Sequence, residues 1–261
     1  MEEENQENQK QVIETKKIQL ENRLKSIEYV TNIRQVINLQ QMSFQYNEKN
    51  DIIKNVYEGG FKLWECTLDL LQEGQNIFQD KNVIDLGCGH GLLGLYAMQE
   101  GAKQTVFADF NIEVLNMVTK KNLELNFGFE KINKKVAFLS GDWENLPEKM
   151  KQKQNDIEVD ENFSKNTSYP EIFDVLLMSE VIYNQDNYQK IVNLCKNIMN
   201  PNGGICILAN KLFYFGCGGS MPEFTEFLEK NYAEIFEFET LEFINNKKGN
   251  KREIFGIRRR Q

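Results

Sequence analysis

Residues Asn82 to Leu95 read NVIDLGCGHGLLGL: a short apolar run, an aspartate, then glycines at Gly87, Gly89 and Gly91 that open onto a leucine-rich segment. An unbroken apolar run fits a strand buried on both faces of a parallel sheet, and the leucines beyond fit a helix. Strand, glycine turn and helix in that order form the opening of a nucleotide-binding βα unit. Glycine suits the turn because the chain must bend sharply and let a bulky ligand lie against bare backbone. The free N–H groups of the helix N-terminus stand behind that ligand.

Two ligand classes use such a turn. Gly89-His90-Gly91-Leu92-Leu93-Gly94 satisfies G-x-G-x-x-G, and Asp109 follows at about the 20-residue distance expected of a dinucleotide's ribose ligand. Asp85 to Gly91, DLGCGHG, instead resembles the D-x-G-x-G-x-G turn of the class I S-adenosylmethionine methyltransferases. This second reading gives Asp85 a partner, a backbone N–H or the methionine amine of the cofactor. The first leaves its carboxylate unpaired, and burying an unpaired charge is costly.

A chain of 261 residues with 41% hydrophobic and 27% charged residues suits one globular catalytic domain with a tail. No apolar run is long enough for a membrane span, and MEEENQENQK is too polar and acidic for a secretory or mitochondrial signal, so a cytoplasmic and nuclear protein is expected. Five scattered cysteines without a C-x-x-C pair point to reduced thiols and no zinc site. The single histidine, His90, excludes histidine triads and poly-histidine metal centres, so no metal is expected; in the glycine turn it reads as a variable loop side chain. A net charge of −8 disfavours nonspecific nucleic-acid binding and suits a basic protein partner. The bases Lys247, Lys248, Lys251, Arg252 and Arg258 to Arg260 read as a solvated face.

Residues 1 to 48 are polar, with Leu20, Leu24, Ile27, Val30, Ile33 and Ile37 at roughly helical spacing, which predicts an N-terminal helical extension to a domain over 49–261. Gly59 and Gly60 form a hinge before an amphipathic helix in which Trp64, by periodicity, is a core anchor beside Leu68 and Leu71. Leu92 to Glu100 is the next helix, with Gly101 in the position of a C-terminal cap. Gln104 to Asp109 is a second strand, and its terminal acid is placed for ribose hydroxyls in a doubly wound sheet. A helix over Asn111 to Asn126 follows, then a strand ending in Gly141, Asp142 and Trp143, where an acid and an aromatic ring suit adenine.

Residues 148–170 carry no sustained period and read as a mobile inserted loop. Phe173 to Asn184 is a buried strand, Asp186 to Met199 a helix, and Ile205 to Ala209 a further strand. The aromatic and glycine-rich run Asn210 to Ser220 either lines a substrate pocket or folds a hairpin. Glu223 to Tyr232 is helical, and Ile235–Ile244 with Glu253–Arg258 form an antiparallel pair at the sheet edge.

YEGGFKLWECTLDLL, VIDLGCGHGLLGL, ADFNIEVL, SGDW, SEVIYN and YFGCGG, spread from Tyr57 to Gly219, together resemble the protein-histidine N-methyltransferases that modify a histidine of a large-subunit ribosomal protein. These belong to a wider seven-strand group with a D/E-x-x-Y signature, here Glu180-Val181-Ile182-Tyr183. The resemblance implies an α/β, Rossmann-like class I sheet, mostly parallel with an antiparallel C-terminal strand, and S-adenosylmethionine as cofactor. It implies a cofactor site made of Leu63, Trp64, Glu65, Cys66, Thr67, Asp85, Gly87, Gly89, Asp109, Phe110, Asn111, Gly141, Asp142, Trp143 and Ser179. Glu180, Tyr183 and Tyr214 are the expected acceptor-side residues, in an enzyme acting as a monomer on a protein and needing neither nucleic acid nor membrane. A protein-lysine methyltransferase of the same group, or a non-catalytic cofactor-binding assembly factor, is the alternative.

Overall fold

A computed structural model of the chain describes residues 14–20, 26–31, 42, 51–54, 56–73, 77–128, 135–152, 156–157, 170–245 and 250–261. Two short strands, β1 (Thr15–Gln19) and β2 (Ser26–Val30), pair antiparallel with Ile18 opposite Ile27. The helix expected here is therefore not formed over 15–19 or 26–30, and the rest of that reading, Leu24, Ile33 and Ile37 included, lies outside the described residues. The physical reason sits on a later helix, α4 (Lys120–Phe127), whose amides stand in for a third strand. Asn122 Oδ1 accepts from Val30 N and Asn126 Oδ1 from Glu28 N, both at 2.9 Å, while Asn126 Nδ2 donates to the Glu28 carbonyl at 2.7 Å. Extended backbone satisfied in this way has no need of a helical ladder. Leu20 and Ile27 then join the main core.

Helix α1 (Glu65–Glu73) leads into the βα units β3 (Asn82–Leu86), α2 (Leu92–Gln99) and β4 (Gln104–Asp109). Helix α3 (Ile112–Val114) continues through a π-helical turn, Leu115–Thr119, into α4. That widened turn carries Thr119, whose hydroxyl donates to the Gly89 carbonyl at 2.6 Å and so ties the helix to the glycine turn. There follow β5 (Val136–Ser140), α5 (Leu146–Lys151), β6 (Val175–Ser179), α6 (Asp186–Ile198), β7 (Ile205–Lys211), α7 (Met221–Tyr232), β8 (Phe236–Ile244) and β9 (Arg252–Arg259).

Seven strands form one sheet in the order β5-β4-β3-β6-β7-β9-β8. It is the α/β sheet the motifs imply: parallel through β7, with β9 antiparallel to both its neighbours. Alternation along the strands sends Val83, Phe107, Phe138, Leu177 and Ile207 to the face covered by α1 and α2. Ile84, Val106, Leu139, Met178 and Leu208 go to the other face, covered by α5, α6 and α7. Burial on both faces is why β3 reads as a continuous apolar run and why Asp85 stands out within it. Because β4 lies on one side of β3 and β6 on the other, the chain reverses direction across the sheet at this point. The crevice outside the carboxyl ends of these strands is where such sheets bind ligands.

The loop expected over 148–170 is shorter than that span. Glu148 and Lys149 lie within α5, and Asp156 packs back, accepting from Ser140 N at 2.6 Å and from Lys149 Nζ at 2.8 Å. Most of the remaining insertion falls outside the described residues. Arg252 is not part of a solvated face: it is buried and its guanidinium donates to Asp69 of α1, while Arg258 pairs with Glu239 on β8. Lys247 and Lys248 lie outside the described residues.

Candidate functional site

A cleft of about 280 Å³ opens above the carboxyl ends of β3, β4, β5 and β6. On its β3–β4 side the wall is largely backbone. Gly87, Gly89 and Gly91 have φ of +68°, +50° and +71°, a left-handed conformation that side-chain-bearing residues rarely adopt. Asp85 lies beneath this turn: its Oδ2 accepts from Gly94 N, in the first turn of α2, at 2.9 Å. Its partner is thus a backbone N–H, and burial pushes its carboxyl up to about pKa 8. Gly94 lets helix and strand close up, since a Cβ there would stand 2.4 Å from Phe107 Cε1.

Asp109, at the end of β4, accepts from Gly89 N at 2.9 Å and from Asn111 N at 3.0 Å, and burial raises its pKa to about 6. His90 lines the cleft but is no free loop side chain. It is 5% exposed, its Nε2 lies 3.1 Å from the Phe61 carbonyl, its Nδ1 has no partner, and burial lowers its pKa to about 4. From β5 come Gly141, Asp142 and Trp143, with Asp142 held by Lys190 of α6.

The segment before α1 forms the facing wall with Gly59, Gly60, Leu63 and Trp64, joined by Thr67 in the first turn of α1. Trp64 is a wall residue, not a core anchor: it precedes α1, is partly exposed, and its indole N–H donates to the Gly59 carbonyl at 3.1 Å. Lys62 Nζ sits 4.3 Å from the centre of its ring. Thr67 donates to Ser179 Oγ at 3.0 Å, joining this wall to the end of β6.

The β6 side is built from side chains. Glu180 is 7% exposed and has φ +57°, a backbone conformation costing a non-glycine residue about 1–3 kcal/mol. Its Oε1 accepts from Cys66 N at 3.4 Å and lies 3.3 Å from Lys211 Nζ, while its buried Oε2 has no partner. Asn210, fully buried on β7, holds the turn after Glu180: its Oδ1 accepts from Val181 N at 3.0 Å and Ile182 N at 3.3 Å. Tyr183 lines the cleft and donates to Glu58; burial, and then that carboxylate, raise its hydroxyl pKa well above the usual range.

Of the residues singled out from the sequence, Leu63, Trp64, Thr67, Gly87, Gly89, Asp109, Phe110, Gly141, Asp142, Trp143, Ser179, Glu180 and Tyr183 share this cleft. Five do not line it. Glu65 points outward, with Oε2 3.7 Å from Lys211 Nζ. Cys66 is fully buried in the core, where burial raises its thiol pKa, and it reaches the site through its backbone N–H. Asp85 sits below the glycine turn. Asn111 stitches the preceding segment to β4, donating to the Val56 carbonyl at 2.8 Å and accepting from Glu58 N at 3.1 Å.

Tyr214 stands one ring away from the cleft, edge-on to Tyr183 at 6.4 Å, accepting from Lys211 N at 3.1 Å and donating to Asn210 Oδ1 at 3.3 Å. The run around it folds as a hairpin, with Phe213 opposite Ser220 and Gly219 N donating to the Tyr183 carbonyl at 2.9 Å.

Glu58, Lys54, Lys62, Asn187 and Lys190 also line the cleft, and sequence reasoning assigned them no role. Glu58 lay within a quoted motif. Lys190 is 48 residues from Asp142 and gave no local signal. Among the described residues no group of three or more His, Cys, Asp or Glu is arranged to hold a metal ion.

Residues 77–235 match a family described as a methyltransferase domain. A curated relative from Dictyostelium discoideum, named histidine protein methyltransferase 1 homolog, is 35% identical over 80% of this chain and 61% of its own length. The Bos taurus protein of that name is 34% identical over 78% of this chain and 57% of its own, and histidine protein methyltransferase 1 of Schizosaccharomyces pombe is 34% identical over 69% and 60%. The chain thus spans about three-fifths of the length of the curated relatives it matches.

Proposed function

The chain belongs to the methyltransferase-domain family, and from that premise we propose that it is an S-adenosylmethionine-dependent protein methyltransferase whose acceptor is a histidine side chain of a large-subunit ribosomal protein. The observation that carries the reading is the carboxylate series at the strand ends, Asp109, Asp142 and Glu180, around one cleft. An acid and a tryptophan at the end of β5 suit an adenosyl group and have no counterpart in the nicotinamide alternative. The names of the relatives support histidine as the acceptor.

In this reading Asp109 takes ribose hydroxyls, Asp142 and Trp143 take adenine, the backbone at Gly87 and Gly89 lies against the ligand, and Trp64, Thr67 and Ser179 close the remaining side. Bound there, the cofactor supplies a methyl group already activated by a sulfonium. The protein's own task is to hold the acceptor nitrogen in line and exclude water. A neutral imidazole, with an unperturbed pKa of about 6.5, is largely a free nucleophile at pH 7, unlike a lysine at about 10.4, so no strong base is required. Glu180 holds the acceptor's other ring N–H through its unpartnered Oε2, and Tyr183 walls the pocket. The fit rests on that orphan: a buried carboxylate oxygen without a donor costs free energy until an N–H reaches it.

Incubation with labelled S-adenosylmethionine and ribosomal proteins extracted from large subunits, followed by mass-spectrometric site mapping, tests the proposal. Methylhistidine is expected. Methyllysine would transfer the chain to the lysine-modifying branch, and cofactor binding without transfer would favour an assembly factor.

A further inference from the structure

We propose that Lys211 is the positioning residue of this site: its ammonium fixes one oxygen of Glu180 so that the other faces the acceptor. The inference rests on the reading of Glu180 as the group that touches the acceptor.

Two elements, β7 and α1, determine where Glu180 lies. Its backbone is clamped to β7, through Glu180 N to the Ala209 carbonyl at 2.9 Å and through the two following N–H groups to Asn210. Its side chain is held at Oε1 alone, by Cys66 N at 3.4 Å and Lys211 Nζ at 3.3 Å. The first of these is a long hydrogen bond. The second is an ion pair between side chains 14% and 4% exposed, where screening by solvent is weak. Lys211 has a second carboxylate within reach, Glu65 at 3.7 Å, but that side chain is 65% exposed and competes poorly.

The lysine is held in turn. Its backbone N–H donates to Tyr214, and its ammonium lies 5.1 Å from the centre of the Trp64 ring on the cleft wall. Lys211 therefore bridges the wall assigned to the cofactor and the carboxylate assigned to the acceptor. Without it Glu180 keeps its backbone position, but its carboxylate loses the ion pair that fixes its direction.

The test uses the full chain as Lys211→Met, Lys211→Arg, Glu180→Gln and the Met/Gln double variant. Turnover is measured on extracted large-subunit proteins, and affinity for S-adenosylhomocysteine by calorimetry. Lys211→Met is expected to lower kcat by about 10- to 100-fold, the scale of a small misplacement of a reacting group. Homocysteine-product affinity should change less than about threefold, and Lys211→Arg should recover most of the turnover. In the Glu180→Gln background the lysine change should cost less than about threefold more, because the two groups act as one unit.

Full-size loss in the Glu180→Gln background, or unchanged kcat in Lys211→Met, would overturn the proposal. Wild-type turnover in Glu180→Gln would instead overturn the reading of Glu180 itself. A crystal structure of Lys211→Met with S-adenosylhomocysteine needs no acceptor: a turned Glu180 carboxylate is expected, and an unmoved one sinks the proposal. Should that variant fail to fold, Lys211→Gln makes the same comparison.

Discussion

On the β3–β4 side of the cleft the wall is mainly backbone, with left-handed Gly87 and Gly89; Asp109 accepts there from Gly89 N and Asn111 N, and Asp85, beneath the turn, accepts from Gly94 N of α2. On the β6–β7 side it is made of side chains held by other side chains from far along the sequence, Glu180 by Lys211, Tyr183 by Glu58 and Thr67 by Ser179. Backbone walls are general: they hold one shape of ligand and add little discrimination. In the proposed reading the side-chain wall is the specific one, because its charges and hydroxyls choose which acceptor is held and in what orientation. Substitutions on the first side should therefore act through strain and stability, and those on the second through turnover in a protein that stays folded.

The largest break in that contrast is expected at Glu180. Glu180→Gln keeps shape and removes charge, and should lower kcat by about 10²–10³-fold, the scale for losing one preorganised electrostatic contact. Cofactor affinity should move little, while the urea midpoint should fall, because Lys211 loses its buried partner. Unchanged turnover in the folded variant would place Glu180 among the structural carboxylates with Asp85.

Next in size comes Gly94→Val, on the backbone side. A Cβ there would stand 2.4 Å from Phe107 Cε1 and 2.8 Å from its Cζ, so helix and strand must separate. Overpacking of this kind costs about 1–3 kcal/mol, read as a lower urea midpoint. Full stability in this variant would mean the glycine serves the ligand and not the packing.

Acidity separates the halves further. Asp85 has its pKa raised from 3.8 to about 8, so between those values the folded protein binds more protons than the unfolded chain and stability falls as pH rises. Asp109, raised from 3.8 to about 6, acts in the same direction over a lower range. His90, lowered from 6.5 to about 4, acts oppositely: its contribution is present above 6.5 and is lost as pH falls toward 4. The interval from about 6.5 to 8 is left to Asp85 among these three. Urea midpoints measured across it should fall with pH in the wild type and stay flatter in Asp85→Asn. Equal slopes would show that the carboxylate is ionised throughout.

The two sides also differed in legibility. Asn82–Leu86 and Gln104–Asp109 coincide with largely apolar runs because two-sided burial leaves few polar positions to confuse the pattern. The glycine turn was readable because left-handed backbone selects glycine. Glu180 was reachable through its E-x-x-Y context, but its lysine was not: Lys211 ends a strand, and nothing local distinguishes it from a solvated cation. Asn210 was hidden for the same reason, since its hydrogen bonds run to residues 28 and 29 positions earlier. Glu65, Cys66 and Asn111 were carried over by resemblance as ligand contacts, and none of the three lines the cleft. A motif keeps a residue without saying which of its atoms is used. The N-terminal hairpin failed differently, because apolar spacing suited a helix while the partners that favour strands, Asn122 and Asn126, lie about a hundred residues away.

The smallest predicted effect tests an exception to the contrast. The cofactor side carries a long-range ion pair, Lys190 on Asp142, with side chains 23% and 31% exposed. Partial exposure lets water and salt screen the pair, so it holds Asp142 in place without contributing much energy. Lys190→Met should weaken S-adenosylhomocysteine binding by about 2- to 5-fold, equivalent to an ion pair of about 0.5–1 kcal/mol. The difference from wild type should shrink as salt rises, and kcat at saturating cofactor should be unchanged. A loss as large as that of Glu180→Gln, indifferent to salt, would mean that α6 is part of the catalytic wall and that the division between backbone and side-chain walls does not run between β5 and β6.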